Sequence, residues 1–257
     1  KTDLLLKPSL LNFSHNFSNA GADWYTTNRV VNFDGWNHVA VFYDSDVEAN
    51  DPVIYINGVS VGIVSSGLTE NNTPDGTINS DAGSSLYIGN NSSGTRTFDG
   101  YIMDAKVYKN VAVTATNVAK MASKINVDKD APDMPTSGLQ AWWKFNASTT
   151  ADSSGNSNNL TVGTALSSPV YDVFSVDVYD GYDGSDATTR TTTDGTFTVT
   201  QGKVEGLSLT SHDFDGSNDY ISLGTGLTTF DGATEGTISA WVKRDGTGSE
   251  DSIISHY

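Results

Sequence analysis

The most regular alternation along the chain is Trp36-Asn37-His38-Val39-Ala40-Val41-Phe42-Tyr43. Successive side chains of a strand point to opposite faces, so Trp36, His38, Ala40 and Phe42 share one face and Val39, Val41 and Tyr43 share the other with Asn37. Both faces are mostly apolar, which predicts a central strand covered on two sides. Residues 53–62 follow, with Asn57-Gly58 between two β-branched runs. A type I′ turn needs φ > 0 at both central residues, so this pair predicts a hairpin. Residues 85–89, 101–108, 139–145, 219–223 and 237–243 read as further strands, and 170–178 and 196–200 as short ones within a Thr/Asp/Gly-rich stretch. One helix is predicted at 114–125, capped by Thr114, with Val118, Met121, Ala122 and Ile125 as its apolar stripe. Two prolines and three aspartates make residues 127–138 a linker. The pattern predicts an all-β protein, an antiparallel β-sandwich with one short helix.

A small motif recurs at Phe33-Asp34-Gly35, Phe98-Asp99-Gly100, Phe214-Asp215-Gly216 and Phe230-Asp231-Gly232. Each precedes a predicted strand and reads as a turn: Asp bonds backbone N–H groups, Gly takes φ > 0, and Phe anchors the corner in the core. The competing reading is that some of these carboxylates also hold a cation.

Composition narrows the function classes. The chain has 257 residues, 14 Lys and Arg against 31 Asp and Glu, a formal charge of −17 and no cysteine. That charge disfavours nucleic acid and anionic membranes, both of which need clustered cations. Zero Cys removes disulfides, thiolate zinc sites and cysteine nucleophiles together, and leaves the redox compartment open. No apolar run approaches the roughly 18 residues of a membrane-spanning helix, so no membrane insertion is expected. Only five of the acids are Glu. The Asp excess suits turns, caps and hard-cation sites rather than helices.

The strand motifs resemble a known family. WNHVAVFYD, YINGVSVG, LYIGN and FDGYIMDAKVYKNV, followed by a short helix, resemble the second half of a LamG-like jelly roll of the concanavalin A-like lectin/glucanase superfamily. GLQAWWKFN, ADSSGNSNN, FDGSNDYISLG and GTISAWVKRDGTGSEDSIISHY resemble the first half. The order is inverted: residues 1–126 carry the family's C-terminal strands, 127–138 the linker, and 139–257 its N-terminal strands. Two readings fit, a window cut across tandem domains or a circular permutant; a start at Lys1 rather than Met favours the window. Either way a half-sandwich cannot hide its apolar face alone, so the halves are expected to pair with each other or with neighbouring copies.

Glucanases of this superfamily place paired carboxylates on one strand as Glu-x-Asp-x-x-Glu, with nucleophile and acid about 5 Å apart. None of Glu48, Glu70, Glu205, Glu235 and Glu250 has a partner at that spacing, and Arg29, Arg96, Arg190 and Arg244 are scattered. The expectation is a protein that is not an enzyme. His15, His38, His212 and His256 form no ligand spacing, and His38 reads as a core histidine.

Calcium is the metal to consider. Asp177, Asp180, Asp183 and Asp186 recur every third residue in a Gly-containing loop, and hard Ca²⁺ takes six to eight such oxygens; a solvated acidic loop is the competing reading. The resemblance adds Asp215, Asn218 and Asp219, where related lectin and pentraxin-like sandwiches recruit calcium, with Asp99 or Asp104 needed to complete the shell. Asp152 to Asn159 matches a family loop and reads equally as a cation site or an Asx-rich turn. Sugar binding needs exposed aromatic faces beside amides or carboxylates. Trp24, Tyr25, Tyr179 and Tyr182 lie in polar stretches and are the carbohydrate candidates. Trp36, Trp142, Trp143 and Trp241 sit inside strand patterns and read as core, although adjacent Trp142 and Trp143 must point to opposite faces.

These readings converge on a non-enzymatic adhesion or carbohydrate-binding module of a virion-surface protein, such as a phage fibre or decoration, or of a bacterial extracellular protein. Its expected partners are glycans or cell-surface polysaccharide and neighbouring copies or domains. The alternatives are a purely structural assembly protein without sugar binding and an ancillary domain of a glycoside hydrolase.

Overall fold

Short strands that alternate in burial pair into two sheets. The computed structural model describes residues 2–7, 10–32, 35–81, 83–145, 150–163, 170–176, 188–192, 195–200, 203–225, 227, 233, 235–246 and 250–256, with backbone alone for 170–176, 188–192, 195–200 and 203–210. Strands β1 (Thr2–Lys7), β2 (Leu10–His15), β3 (Ala22–Thr26), β4 (Asn37–Asp44), β5 (Val53–Ile56), β6 (Val59–Ser60), β7 (Ile63–Val64), β8 (Gly67–Asn72), β9 (Leu86–Ile88) and β10 (Asp99–Lys109) precede helix α1 (Ala115–Met121). After it come β11 (Leu139–Trp143), β12 (Thr161–Val162), β13 (Val170–Val176), β14 (Thr188–Thr192), β15 (Gly195–Thr200), β16 (Lys203–Asp215), β17 (Ile221–Gly224), β18 (Glu235–Arg244) and β19 (Asp251–His256).

The front sheet runs β12-β17-β9-β19-β1-β2-β3-β8-β7. The back sheet runs β14-β15-β16-β10-β18-β4-β5-β6, with β11 beside β10 and β13 beside β16. Strands of the two sequence halves interleave in both: β19 lies between β9 and β1, and β18 between β10 and β4. The expected all-β sandwich is thus observed, and its halves close on each other within one chain.

Leu4, Leu6, Leu11, Phe13 and Trp24 from the front sheet meet Val39, Val41, Tyr43, Ile102, Val107, Trp143, Ile238 and Val242 from the back sheet in the main core. Burying each aliphatic or phenyl side chain contributes about 1.5–3 kcal/mol. The other face of β4 is apolar for a second reason. Ala40, with Tyr55 and Tyr108, forms a second cluster beneath Val118 and Met121 of α1 and Val127 and Met134 of the following segment. Residues 127–138, read as a linker, are therefore packed onto the back sheet. Trp143 joins the main core and Trp142 the covered outer side, as adjacent positions require.

Thr114 caps α1 with a reciprocal pair: Thr114 Oγ1 accepts from Asn117 N–H (3.2 Å) and Asn117 Oδ1 accepts from Thr114 N–H (2.9 Å). The helix ends at Met121, earlier than the apolar stripe implies. Asn126 sits at φ +55° and gives its N–H to Asp104 Oδ2 (2.8 Å) instead of to a helix carbonyl, which turns the chain away. The Asn57-Gly58 turn forms with φ of +51° and +81°, and a Cβ on Gly58 would meet Ala119 Cα at 3.1 Å, so helix and hairpin are in direct contact. Of the Phe-Asp-Gly turns, Phe98 and Phe214 pack edge to face at 6.3 Å, with Asp99 directly opposite Asp215. Phe33-Asp34 and Phe230-Asp231-Gly232 lie outside the described residues.

Candidate functional site

Helix α1 packs on the back sheet, against β6, and polar groups line the outer face of the front sheet. Alternation sends Leu4, Leu6, Leu11, Phe13, Ala22 and Trp24 inward and turns Asp3, Leu5, Lys7, Asn12, Ser14, Asp23 and Tyr25 outward. Register then aligns the outward groups: Asp3 is opposite Ser255 and Ser14, Ser14 opposite Asp23, and Asp23 opposite Asn72. The neighbouring row holds Leu5, Asn12, Tyr25 and Thr69.

Asp3, Ser14, Asp23 and Asn72, with Leu5 and Asn12, line a groove of about 640 Å³ across β1, β2, β3 and β8. Asp3, Leu5 and Asn12 are its buried floor; Asn71, Asn72 and Thr73 are an exposed rim. Hydrogen bonds fix the floor. Asn12 Nδ2 donates to Asp23 Oδ1 and to the Trp24 carbonyl (3.0 Å), and Asn71 Nδ2 donates to Asp23 Oδ2 (3.4 Å). Arg96 closes one end, with Nη1 on Asp3 Oδ2 (3.1 Å) and Nε on Glu250 Oε2 (3.0 Å), and Lys7 Nζ reaches Glu250 Oε1 (3.3 Å). Carboxylates, amides and a hydroxyl held on a rigid sheet suit a ligand rich in hydroxyl groups. Asp23 accepts with both oxygens, and Asp3 is paired with the Arg96 guanidinium.

The structure distributes the expected sites unevenly. Trp24 is a correction: alternation turns its ring inward, where it stacks on Phe13 (6.0 Å) and meets Tyr43 (5.4 Å), with Nε1 donating to Asp51 (2.9 Å). It is fully buried and offers no face to a sugar. Tyr25, one residue on, points outward and stands opposite Asn12 in register, next to the groove's lining. Tyr179 and Tyr182, like Asp177, Asp180, Asp183 and Asp186, lie outside the described residues.

Asp215, Asn218 and Asp219 occupy one turn, in which one carboxylate oxygen each of Asp215 and Asp219 accepts from a backbone N–H. Asp219 Oδ2 accepts from Asp215 N–H and Asp215 Oδ1 accepts from Ser217 N–H, both at 2.9 Å. Asp219 is buried while Asp215 and Asn218 are exposed. Asp99 is close enough that a Cβ on Gly216 would meet its Cγ at 3.0 Å. Burial, then the charges of Asp245, Asp219, Asp215 and Asp99, raise the Asp213 carboxyl above the usual range; burial, with Asp215 nearby, does the same for Asp219. This corner is acidic, yet among the described residues no three His, Cys, Asp or Glu side chains are grouped to hold a metal ion. Asp104 does not complete it, for it lies in a separate network: it accepts from buried Lys106 and from Trp142 Nε1 (2.7 Å). Asp152 is an organiser of its turn, accepting from Trp142 N–H, Ser154 N–H and Oγ, and Asn158 N–H.

Two histidines are neutral core groups. Burial lowers His38, edge-on to Trp241, to about 3, and His212, against Phe145, to about 4.

Fold and site together define a concanavalin A-like jelly-roll sandwich with one helix-covered face and one open, polar, grooved face. Residues 5–119 match a laminin G family model of the concanavalin A-like lectin/glucanases superfamily, and over that stretch the resemblance read from the strand motifs is shown. No curated protein and no solved structure matches the chain.

Proposed function

We propose that the protein is a non-enzymatic carbohydrate-binding adhesion module of a virion-surface or bacterial extracellular protein, with the front-sheet groove as its glycan site. The observation that carries this reading is the groove itself: a row of Asp, Ser and Asn side chains on adjacent strands of the front sheet. The family match supports it, since the lectin-like fold suits recognition by a sheet face. Calcium enters as a proposal at the Asp99–Asp215–Asp219 corner, which a bound cation would have to draw together.

Glycan-array binding in millimolar calcium and again in chelator tests the reading. Binding in both buffers supports the groove alone, and binding abolished by chelator adds the metal. Folded protein that binds no glycan in either buffer overturns it. Two features favour a structural reading as second choice. Val59 and Ile63 are 70% and 73% exposed on the short strands at the adjoining open edges of the two sheets, where another copy can add. Concentration-dependent growth in light scattering would support it.

A further inference from the structure

We infer that the front-sheet groove binds an internal stretch of an uncharged polysaccharide and rejects sulfated and uronic-acid chains; the inference rests on the glycan reading and names its ligand class. The groove's own charges set this preference. Lys7 and Arg96 are the cations in its lining, and both are committed: Arg96 spans Asp3 and Glu250, and Lys7 shares Glu250. A sulfate or carboxylate would have to break these pairs and settle beside Asp3, Glu250 and Asp23. The whole chain, at −17, repels it from a distance as well. Uncharged hydroxyls meet no such cost, because Asp23, Ser14, Asn71 and Asn72 offer acceptors and donors that hydroxyl groups satisfy in either sense.

The shape points to a chain interior. Asp3, Ser14, Asp23 and Asn72 stand on four neighbouring strands, so the row is about 14 Å long at roughly 4.8 Å per strand. That exceeds one sugar ring. Tyr25 flanks the row on the next register line and supplies an apolar face.

The test is calorimetric titration with neutral hexasaccharides of glucose, mannose, galactose and N-acetylglucosamine, with their monosaccharides, and with a heparin hexasaccharide and a hexagalacturonate. The best neutral hexasaccharide is expected to bind at least about tenfold more tightly than either anionic one and than its own monosaccharide. Lower salt should widen the gap from the anionic pair. Ser14→Trp, which fills the floor, should abolish binding. Asn72→Trp on the exposed rim should weaken it at least about tenfold and serves if Ser14→Trp fails to fold. An anionic hexasaccharide that binds as tightly as the neutral ones overturns the inference and leaves the glycan reading standing. A monosaccharide as tight as its hexamer overturns the internal-chain part. Folded protein that binds no sugar overturns both, and binding retained by folded Ser14→Trp or Asn72→Trp overturns the location.

Discussion

Asp104 should be the most sensitive single position outside the main core. It stands at φ +51° in a bulge of β10, where the pairing with β18 shifts between Met103 and Lys106. Its carboxylate receives buried Lys106 Nζ, Trp142 Nε1 and Asn126 N–H. Lys106 is 1% exposed, and burial lowers its ammonium's pKa, with the Asp104 charge and hydrogen bond opposing that effect. Asp104→Ala leaves a buried cation without its partner, worth about 3–5 kcal/mol. It also puts alanine in the left-handed region, at about 1–2 kcal/mol, and orphans two N–H groups at about 1–3 kcal/mol each. These effects overlap because Lys106 can shed its proton, so the expected loss is about 5 kcal/mol, enough to unfold a domain of ordinary stability. Lys106→Met leaves Asp104 with two N–H donors and an apolar neighbour, and should cost about 2–3 kcal/mol. Asp104→Asn tolerates the backbone and keeps an acceptor, and should fall near the lysine variant. Urea unfolding followed by tryptophan fluorescence measures all three. Were Asp104→Ala no more damaging than Lys106→Met, or below about 2 kcal/mol, the network would not hold the bulge as argued.

The remaining expectations concern packing, pH and the misread tryptophan. Gly89 and Gly224 both have positive φ, but a Cβ on Gly89 would meet Phe214 Cε1 at 2.0 Å while one on Gly224 meets nothing within 4 Å. Gly224→Ala should cost about 1–2 kcal/mol and Gly89→Ala about 1–3 kcal/mol more by urea midpoint; equal losses would remove the steric argument. Burial lowers His38 to about 3 and His15 and His212 to about 4, from an ordinary 6.5. Below that value the unfolded chain takes up protons that the folded chain refuses, so stability is full above pH 6.5 and falls toward pH 4. One unit of acidification to pH 5.5 should remove about 3 kcal/mol in all. The raised carboxyls of Asp213, Asp219 and Asp251 act in the opposite sense at lower pH, since protonation relieves their burial. Identical urea midpoints at pH 7.5 and 5.5 would contradict the histidine account. Trp24→Ala should cost about 3–5 kcal/mol of stability, and Tyr25→Ala should spare stability and weaken glycan binding; the reverse pattern would place the tryptophan at the ligand.

Much of the architecture follows from the chain alone. Apolar residues on both faces of 36–43 require two covering layers, and the structure supplies the front sheet on one side and α1 with residues 127–138 on the other. Asn57-Gly58 requires a I′ hairpin because only such residues accept its φ values, and adjacent Trp142 and Trp143 must point to opposite faces of β11. Local conformational preference and period-two alternation are properties of neighbours in sequence. The groove is different. Asn12 and Ser14 alternate with Leu11, Phe13 and His15 and mark an outward polar face, but Trp24 lies in a polar stretch of sequence and looks exposed. Only pairing across β1, β2, β3 and β8 lines up Asp3, Ser14, Asp23 and Asn72, and Arg96, distant in sequence, pairs with Asp3. Which carboxylate finds a cation and which indole finds the core depends on residues far apart in the chain, and tertiary structure alone decides that.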